Sequence, residues 1–220
     1  MKIDIKNLSY GYSKKKELVL KDITRTFVSG NIYILGGKNG SGKTTLSKLI
    51  MGLIKPKKNQ IFIDDVDITK LDSGQISKKI GYLFQIVDLQ LFAPTVIEEL
   101  VFPYQLTNTF DDKAKVRIKK TLEKLELVGM EKRFPLTMSG GEKQRLALAT
   151  ILLRDIKFMI LDEPTASIDN EGKEFVANLI REFTDNGGGV IVISHDKEFI
   201  EKLGENTTKL LLEGALLCQN

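Results

Sequence analysis

The chain has 220 residues, 42% hydrophobic and 28% charged, enough apolar content to bury one core of domain size. No apolar run approaches the roughly 18 residues of a membrane span, because the longest candidate, LALATILL, is fenced by Arg145 and Arg154. The formal charge of +4 comes from dispersed lysines such as Lys14 to Lys16 and Lys55 to Lys58, which form no dedicated basic stripe, so no nucleic-acid partner is expected. One cysteine, Cys218, and the lack of an amino-terminal apolar segment with a cleavage site point to a reducing compartment.

In chain order, KIDIKNLSYGY (2–12) alternates apolar and polar residues like a half-exposed strand, and LVLKDITRTF (18–27) reads as its antiparallel neighbour. NIYIL (31–35) is a buried strand that enters the stretch GGKNGSGKTT. Leu46, Leu49 and Ile50 then recur at helical spacing, with Gly52 and Pro56 marking where that helix stops. QIFIDD and KIGYLFQ read as strands. Thr95 to Leu106 and Asp112 to Leu127 read as helices, the second amphipathic. Beyond them come helix GEKQRLALATILLR, strand KFMILD, helix EGKEFVANLIREF, a turn at NGGG, strand GVIVIS and a short strand pair from Thr207 to Cys218. This order predicts the α/β class with a helical insertion in the middle.

Gly37, Gly42, Lys43 and Thr44 satisfy the phosphate-loop pattern. There, backbone amides cradle phosphates at a helix amino terminus, the lysine reaches the β/γ-phosphates and the hydroxyl binds magnesium. The loop is therefore expected to hold a nucleoside triphosphate. KFMILDE ends in two carboxylates, and neighbouring strand residues point in opposite directions, so two acids can take two tasks. Asp162 is expected in the magnesium shell through water, and Glu163 against the attacking water as general base. Ser139 and Glu142 form a capping-box pattern before an apolar helix. Gly140 and Gly141 at its first positions are poor helix formers that let a bare helix end approach an anion.

With these motifs in this order, the chain resembles the ATP-binding-cassette (ABC) ATPase family along almost its whole length. Met138, Ser139, Gly140, Gly141 and Glu142 match the LSGGQ signature. Walker A is the loop containing Gly37, Lys38, Asn39, Gly40, Ser41, Gly42, Lys43, Thr44 and Thr45, with Lys38 where proline is frequent. Walker B is FMILDE, the D-loop is ASID with Asp169, and the switch histidine is His195 in VISHD. The resemblance implies a RecA-like P-loop NTPase core with an antiparallel β subdomain and an inserted α-helical subdomain over roughly 88–154, all in one cassette spanning 1–220. It also implies a head-to-tail dimer, homodimeric or heterodimeric, that buries ATP between Walker A of one subunit and the signature of the other. Gln85 matches the Q-loop, which touches magnesium and relays nucleotide state to a membrane partner. His195 is expected at the γ-phosphate, ordering Glu163 and the water. Tyr12, with Tyr10 as the alternative, is expected to stack on adenine. Glu142 replaces the usual glutamine, and its charge partly offsets the positive helix end, which predicts weaker dimerisation.

Leu89, Leu91 and Phe92 lie in QIVDLQLFAPTVIEELVF, a loop setting that ought to be polar, and point to a docking groove for integral membrane subunits. DLQLFAPTVIEELVF is similar to the matching stretch of the cobalt-type and energy-coupling-factor importer group. That likeness implies ATP hydrolysis with magnesium, driving uptake of a small solute such as a vitamin or metal ion, at the cytoplasmic face of the cell membrane. Two features depart from the group: Val87 replaces its usual proline, and the chain ends soon after the last strand. The alternative is a soluble ABC ATPase acting on nucleic acid or the ribosome; it calls for a second cassette, a long heptad insertion or zinc cysteines, which the sequence lacks. A small-molecule kinase leaves the signature and His195 unused, and an exporter stays open.

Overall fold

The computed structural model describes residues 1–12, 17–166 and 168–219; Lys14 to Lys16 and Ser167 of the ASID stretch lie outside the described residues. The strands are β1 (Lys2–Tyr10), β2 (Leu20–Val28), β3 (Ile32–Gly36), β4 (Ile61–Ile63), β5 (Val66–Asp67), β6 (Ile80–Leu83), β7 (Phe158–Asp162), β8 (Gly189–Ile193), β9 (Thr207–Glu213) and β10 (Leu216–Gln219). The helices are α1 (Lys43–Ile50), α2 (Ser73–Ser77), α3 (Val96–Thr107), α4 (Asp112–Lys124), α5 (Gly140–Leu152), α6 (Asn170–Asp185) and α7 (Lys197–Lys202).

Two sheets divide these strands. One is antiparallel in the order β2-β1-β4-β5, and the other runs β10-β9-β3-β8-β7-β6, parallel except for the β9–β10 hairpin. The central strands send alternate side chains to opposite faces. Ile32, Ile34, Met159, Leu161, Val190 and Val192 join the side chains of α3 to α7 in one core. Tyr33, Leu35, Phe158, Ile160, Ile191 and Ile193 join the antiparallel sheet and α1 in the other. Covering both faces is what permits the continuous apolar runs of β3, β7 and β8. The parallel arrangement brings the carboxyl ends of β3, β6, β7 and β8 to one edge, where open α/β sheets bind their ligands.

Several element ends differ from the sequence expectation. β1 stops at Tyr10, and β6 stops at Leu83, before Gln85. β4 stops at Ile63 because Asp64 and Asp65, with φ of 48° and 64°, turn the chain through a two-residue hairpin into β5. Helix α7 is unanticipated; at six residues it is too short to display a helical period.

The proposed docking trio also divides. Leu89 and Phe92 are 74% and 63% exposed, whereas Leu91 is 4% exposed and belongs to the helix-side core. The Leu91 N–H donates to the Val87 carbonyl at 3.3 Å, closing a turn that takes Leu91 inward. Gln90 then ties this segment to α5, its Nε2 donating to the Ala147 carbonyl at 3.2 Å.

Candidate active site

Between β3 and α1 the loop closes around Lys43. Gly37 has φ of 135°, and a Cβ there would overlap the Leu212 carbonyl oxygen. Gly42 has φ of 106°, and a Cβ would stand 2.9 Å from Leu20 Cδ2. Both positions therefore demand glycine, and no side chain caps the first turn of α1, whose amides stay available to an anion. The buried Lys43 Nζ donates to the carbonyls of Gly37 at 2.7 Å and Lys38 at 3.1 Å. Burial pulls its ammonium below the ordinary lysine range, and the carboxylates of Glu163 and Asp162 oppose part of that. Ser41 Oγ is buried without a hydrogen-bond partner in the same loop.

Asp162 ends β7 at 2% exposure, and its Oδ2 accepts from Thr44 Oγ1 at 3.1 Å and from Tyr82 Oη at 3.3 Å. Burial pushes its carboxyl above the usual range, while the Thr44 and Tyr82 hydroxyls and the Lys43 charge pull it back. Glu163 lies beyond the strand with a left-handed φ of 50°, and its N–H donates to the Ile193 carbonyl at 2.8 Å. This residue, not strand pleating, separates the two acids. A non-glycine residue held there costs about 1–2 kcal/mol, strain of the kind that gathers at functional sites. Burial also pushes the Glu163 carboxyl up, against the pull of His195, whose Nε2 lies 3.7 Å from Glu163 Oε1.

A cleft of about 560 Å³ brings together Tyr12, Asn39, Gly40, Gly42, Lys43, Thr44, Thr45, Gln85, Asp162, Glu163 and His195. Tyr12, rather than Tyr10, reaches it; the Tyr12 Oη lies 3.2 Å from Thr45 Oγ1 and its ring stands edge-on to Tyr10. Val19, just before β2, and Ile193, at the end of β8, complete the lining and were not anticipated, since isolated apolar residues carry no mark of a site. Gln144 was missed as well. It is 5% exposed, and its Nε2 donates to the Pro164 carbonyl at 2.7 Å, anchoring α5 to the turn after Glu163. Magnesium suits the donors present. The Thr44 hydroxyl, the Asp162 carboxylate and the Gln85 amide are hard oxygen ligands, and such an ion ordinarily completes its shell with phosphate oxygens and water. Among the described residues, no group of three or more His, Cys, Asp or Glu could hold a metal ion.

Ser139, Gly140, Gly141, Glu142 and Asp169 do not line this cleft. Ser139 Oγ accepts from the Glu142 N–H at 3.3 Å, and Glu142 Oε2 accepts from the Ser139 N–H at 2.7 Å, completing a capping box at the start of α5. Glu142 Oε1 also accepts from Arg133 Nη1 at 3.0 Å, so the carboxylate does not stand alone at the helix end. The Ser139 backbone amide, with Arg133, holds the Glu142 carboxyl below its ordinary range. Asp169 caps α6, accepting from the Gly172 N–H at 2.9 Å, and a Cβ on Gly141 would lie 3.5 Å from Ile168 Cγ2. The signature-like turn and the ASID stretch are thus neighbours.

A family model described as ABC transporter matches residues 20–166. The chain is 37% identical to the energy-coupling factor transporter ATP-binding protein EcfA1 of Thermotoga maritima over 203 residues, 92% of this chain and 76% of that relative. It superposes on CbiO1 of Clostridium perfringens, described as part of the ABC transporter complex CbiONQ, with a TM-score of 0.83 and 27% identity, covering 99% of this chain and 87% of the other. A dimeric bacterial ABC transporter cassette gives a TM-score of 0.83 at 25% identity, covering 98% and 96% of the two chains.

Proposed function

The chain belongs to the ABC transporter family, and from that premise we propose that it is the ATP-binding and ATP-hydrolysing subunit of an energy-coupling-factor-like importer of a small solute. The observation that carries this reading is the convergence of Lys43, Thr44, Asp162, Glu163 and His195 at the carboxyl ends of parallel strands. ATP lays its phosphates against the loop amides and the uncapped start of α1. Lys43 exchanges the carbonyls of Gly37 and Lys38 for phosphate oxygens. Glu163 polarises the attacking water, and His195 beside it orients that carboxylate. Thr44, Gln85 and, through water, Asp162 would hold magnesium, which would neutralise charge on the transferring phosphoryl group.

Ser139, Gly140, Gly141, Glu142 and Asp169 serve the nucleotide of a neighbouring cassette in a head-to-tail homodimer or heterodimer. Their position outside their own chain's cleft supports that role. The chain forms one cassette over 1–220 with its helical subdomain over roughly 88–154. No helix among the described residues is long and apolar enough to cross a membrane, so the transport path belongs to integral membrane partners. Exposed Leu89 and Phe92, with Phe92 edge-on to Phe102 at 4.6 Å, support docking of such a partner at the cytoplasmic face of the membrane.

The test is affinity purification of the tagged protein from mildly solubilised native membranes, with an ATPase assay on the product. Integral membrane subunits and a small substrate-binding membrane protein are expected in stoichiometric amounts. Recovery only with ribosomes or DNA overturns the transport reading in favour of a soluble ABC ATPase.

A further inference from the structure

We infer that Tyr82 is a positioning residue for Asp162: its hydroxyl, backed by Ser47, fixes the carboxylate that receives magnesium. The inference rests on the reading of the cleft as a magnesium–ATP site. Among the described residues, two side chains donate to Asp162, and both reach Oδ2: Thr44 and Tyr82. Thr44 is itself a magnesium ligand in that reading. Tyr82 is then the donor that holds the carboxylate from outside the metal shell.

Strand β6 is buried at all four positions, and the Tyr82 side chain lies in the core shared with α1. A hydroxyl in such a place costs free energy unless it is hydrogen-bonded. This one contacts Asp162 Oδ2 at 3.3 Å and Ser47 Oγ at 3.0 Å, and Ser47 is 1% exposed. The proton count gives the chain a direction. Tyr82 and Ser47 carry one hydroxyl proton each, and the charged carboxylate is the strongest acceptor in reach, so it takes the proton of Tyr82. Ser47 Oγ donates to the Thr44 carbonyl at 3.0 Å and also lies 3.0 Å from Tyr82 Oη, a contact in which either hydroxyl can donate. Ser47 Oγ, fixed on α1 in this way, backs the Tyr82 hydroxyl in the row Ser47, Tyr82, Asp162. A tyrosine hydroxyl keeps its proton at neutral pH, so it remains a donor. A phenylalanine fills nearly the same space, which isolates the role in one oxygen.

The experiment is calorimetric binding of ADP to the full chain, once with excess magnesium and once with excess chelator. In the wild-type chain magnesium strengthens binding. In Tyr82→Phe this magnesium-dependent gain is expected to fall about tenfold, the low end for loss of a partner that orients a metal ligand. Affinity in chelator stays within about twofold, and the variant keeps a single cooperative thermal transition. Ser47→Ala lowers the gain in the same direction by less, and the double variant matches Tyr82→Phe because Ser47 acts through Tyr82. An unchanged gain in Tyr82→Phe, or equal losses with and without magnesium, overturns the inference and leaves the site reading standing. Absence of any magnesium-dependent gain in the wild-type chain overturns the site reading itself. Should Tyr82→Phe fail to fold, Ser47→Ala decides by the same two titrations.

Discussion

The Nε2 atom of His195 lies 3.7 Å from Oε1 of Glu163, and the two residues follow adjacent parallel strands, β8 and β7. The Glu163 N–H on the Ile193 carbonyl fixes that spacing through the backbone. Glutamine at 163 keeps the shape and removes the base. Glu163→Gln is expected to bind ATP within about threefold of wild type and to lose at least about 100-fold in kcat. His195→Ala loses less, and the double variant falls no further than Glu163→Gln, since the two act as a unit. Single-turnover hydrolysis with separate ATP titration checks this. Lost binding with intact turnover per bound ATP would refute the assignment of Glu163.

Two glycines of the loop separate steric overlap from backbone strain. Gly37→Ala places a Cβ against the Leu212 carbonyl, whereas a Cβ at Gly40 meets nothing within 4 Å and bears only its left-handed φ of 80°. That strain is about 1–2 kcal/mol. Nucleotide affinity is expected to fall further in Gly37→Ala than in Gly40→Ala, by about tenfold or more. Equal losses in a fluorescent-nucleotide titration contradict the overlap argument.

Glu142→Gln retains a capping acceptor for the Ser139 N–H and removes the ion pair to Arg133. An exposed pair of this kind contributes under about 1 kcal/mol, so stability changes little. Arg133 is left unpaired beside the start of α5, which makes that helix end more positive. ATP-dependent dimerisation should strengthen, as read by sedimentation; an unchanged dimer fraction shows that the carboxylate charge has no part in it.

Asp67 accepts hydrogen bonds from the backbone amides of Asn59 at 2.7 Å and Thr69 at 2.9 Å, and from the Thr69 hydroxyl at 2.8 Å. Burial pushes its carboxyl up, but these bonds outweigh it and hold the group below its ordinary range. A depressed folded value means stability that is full above the unfolded value of about 4 and lost as pH falls through the folded one. Asp67→Ala should therefore destabilise the protein by about 1–3 kcal/mol at neutral pH, with the deficit shrinking under acid. Urea unfolding at neutral and acidic pH tests both; a deficit independent of pH points to packing alone.

Leu89→Ser and Leu91→Ser divide the apolar segment after Gln85. Leu89 is exposed and its replacement should change stability by under about 0.5 kcal/mol while weakening recovery of membrane subunits. Leu91 is buried, and serine there should cost about 3 kcal/mol. Thermal unfolding and co-purification distinguish the two, and the reverse pattern rejects the docking surface.

Much of the fold and the site is legible locally. The phosphate loop is a run of backbone conformations and the Lys43 side chain, all within Gly37 to Thr44. The capping box at Ser139 and Glu142 closes over three residues and appears at the start of α5 as its spacing implies. Strands β3, β7 and β8 announce themselves by apolar runs, because both of their faces are covered. The short helix α7 and the Asp64–Asp65 hairpin do not, since six residues give no period and two aspartates no strong turn signal.

What the sequence by itself determined is the set of local devices and their order: glycine loop, acidic strand end, capped helix start and lone histidine. These depend on backbone geometry and hydrogen bonds within a few residues, so spacing is sufficient to see them. Only the tertiary structure decided that Tyr82 reaches Asp162, that Gln144 holds the Pro164 carbonyl, that Glu163 sits on a left-handed turn and that Leu91 is buried while Leu89 and Phe92 are exposed. Each of those depends on which strand lies beside which and how a helix covers them. That pairing is set by burial summed over the whole core, and no short stretch of sequence contains it.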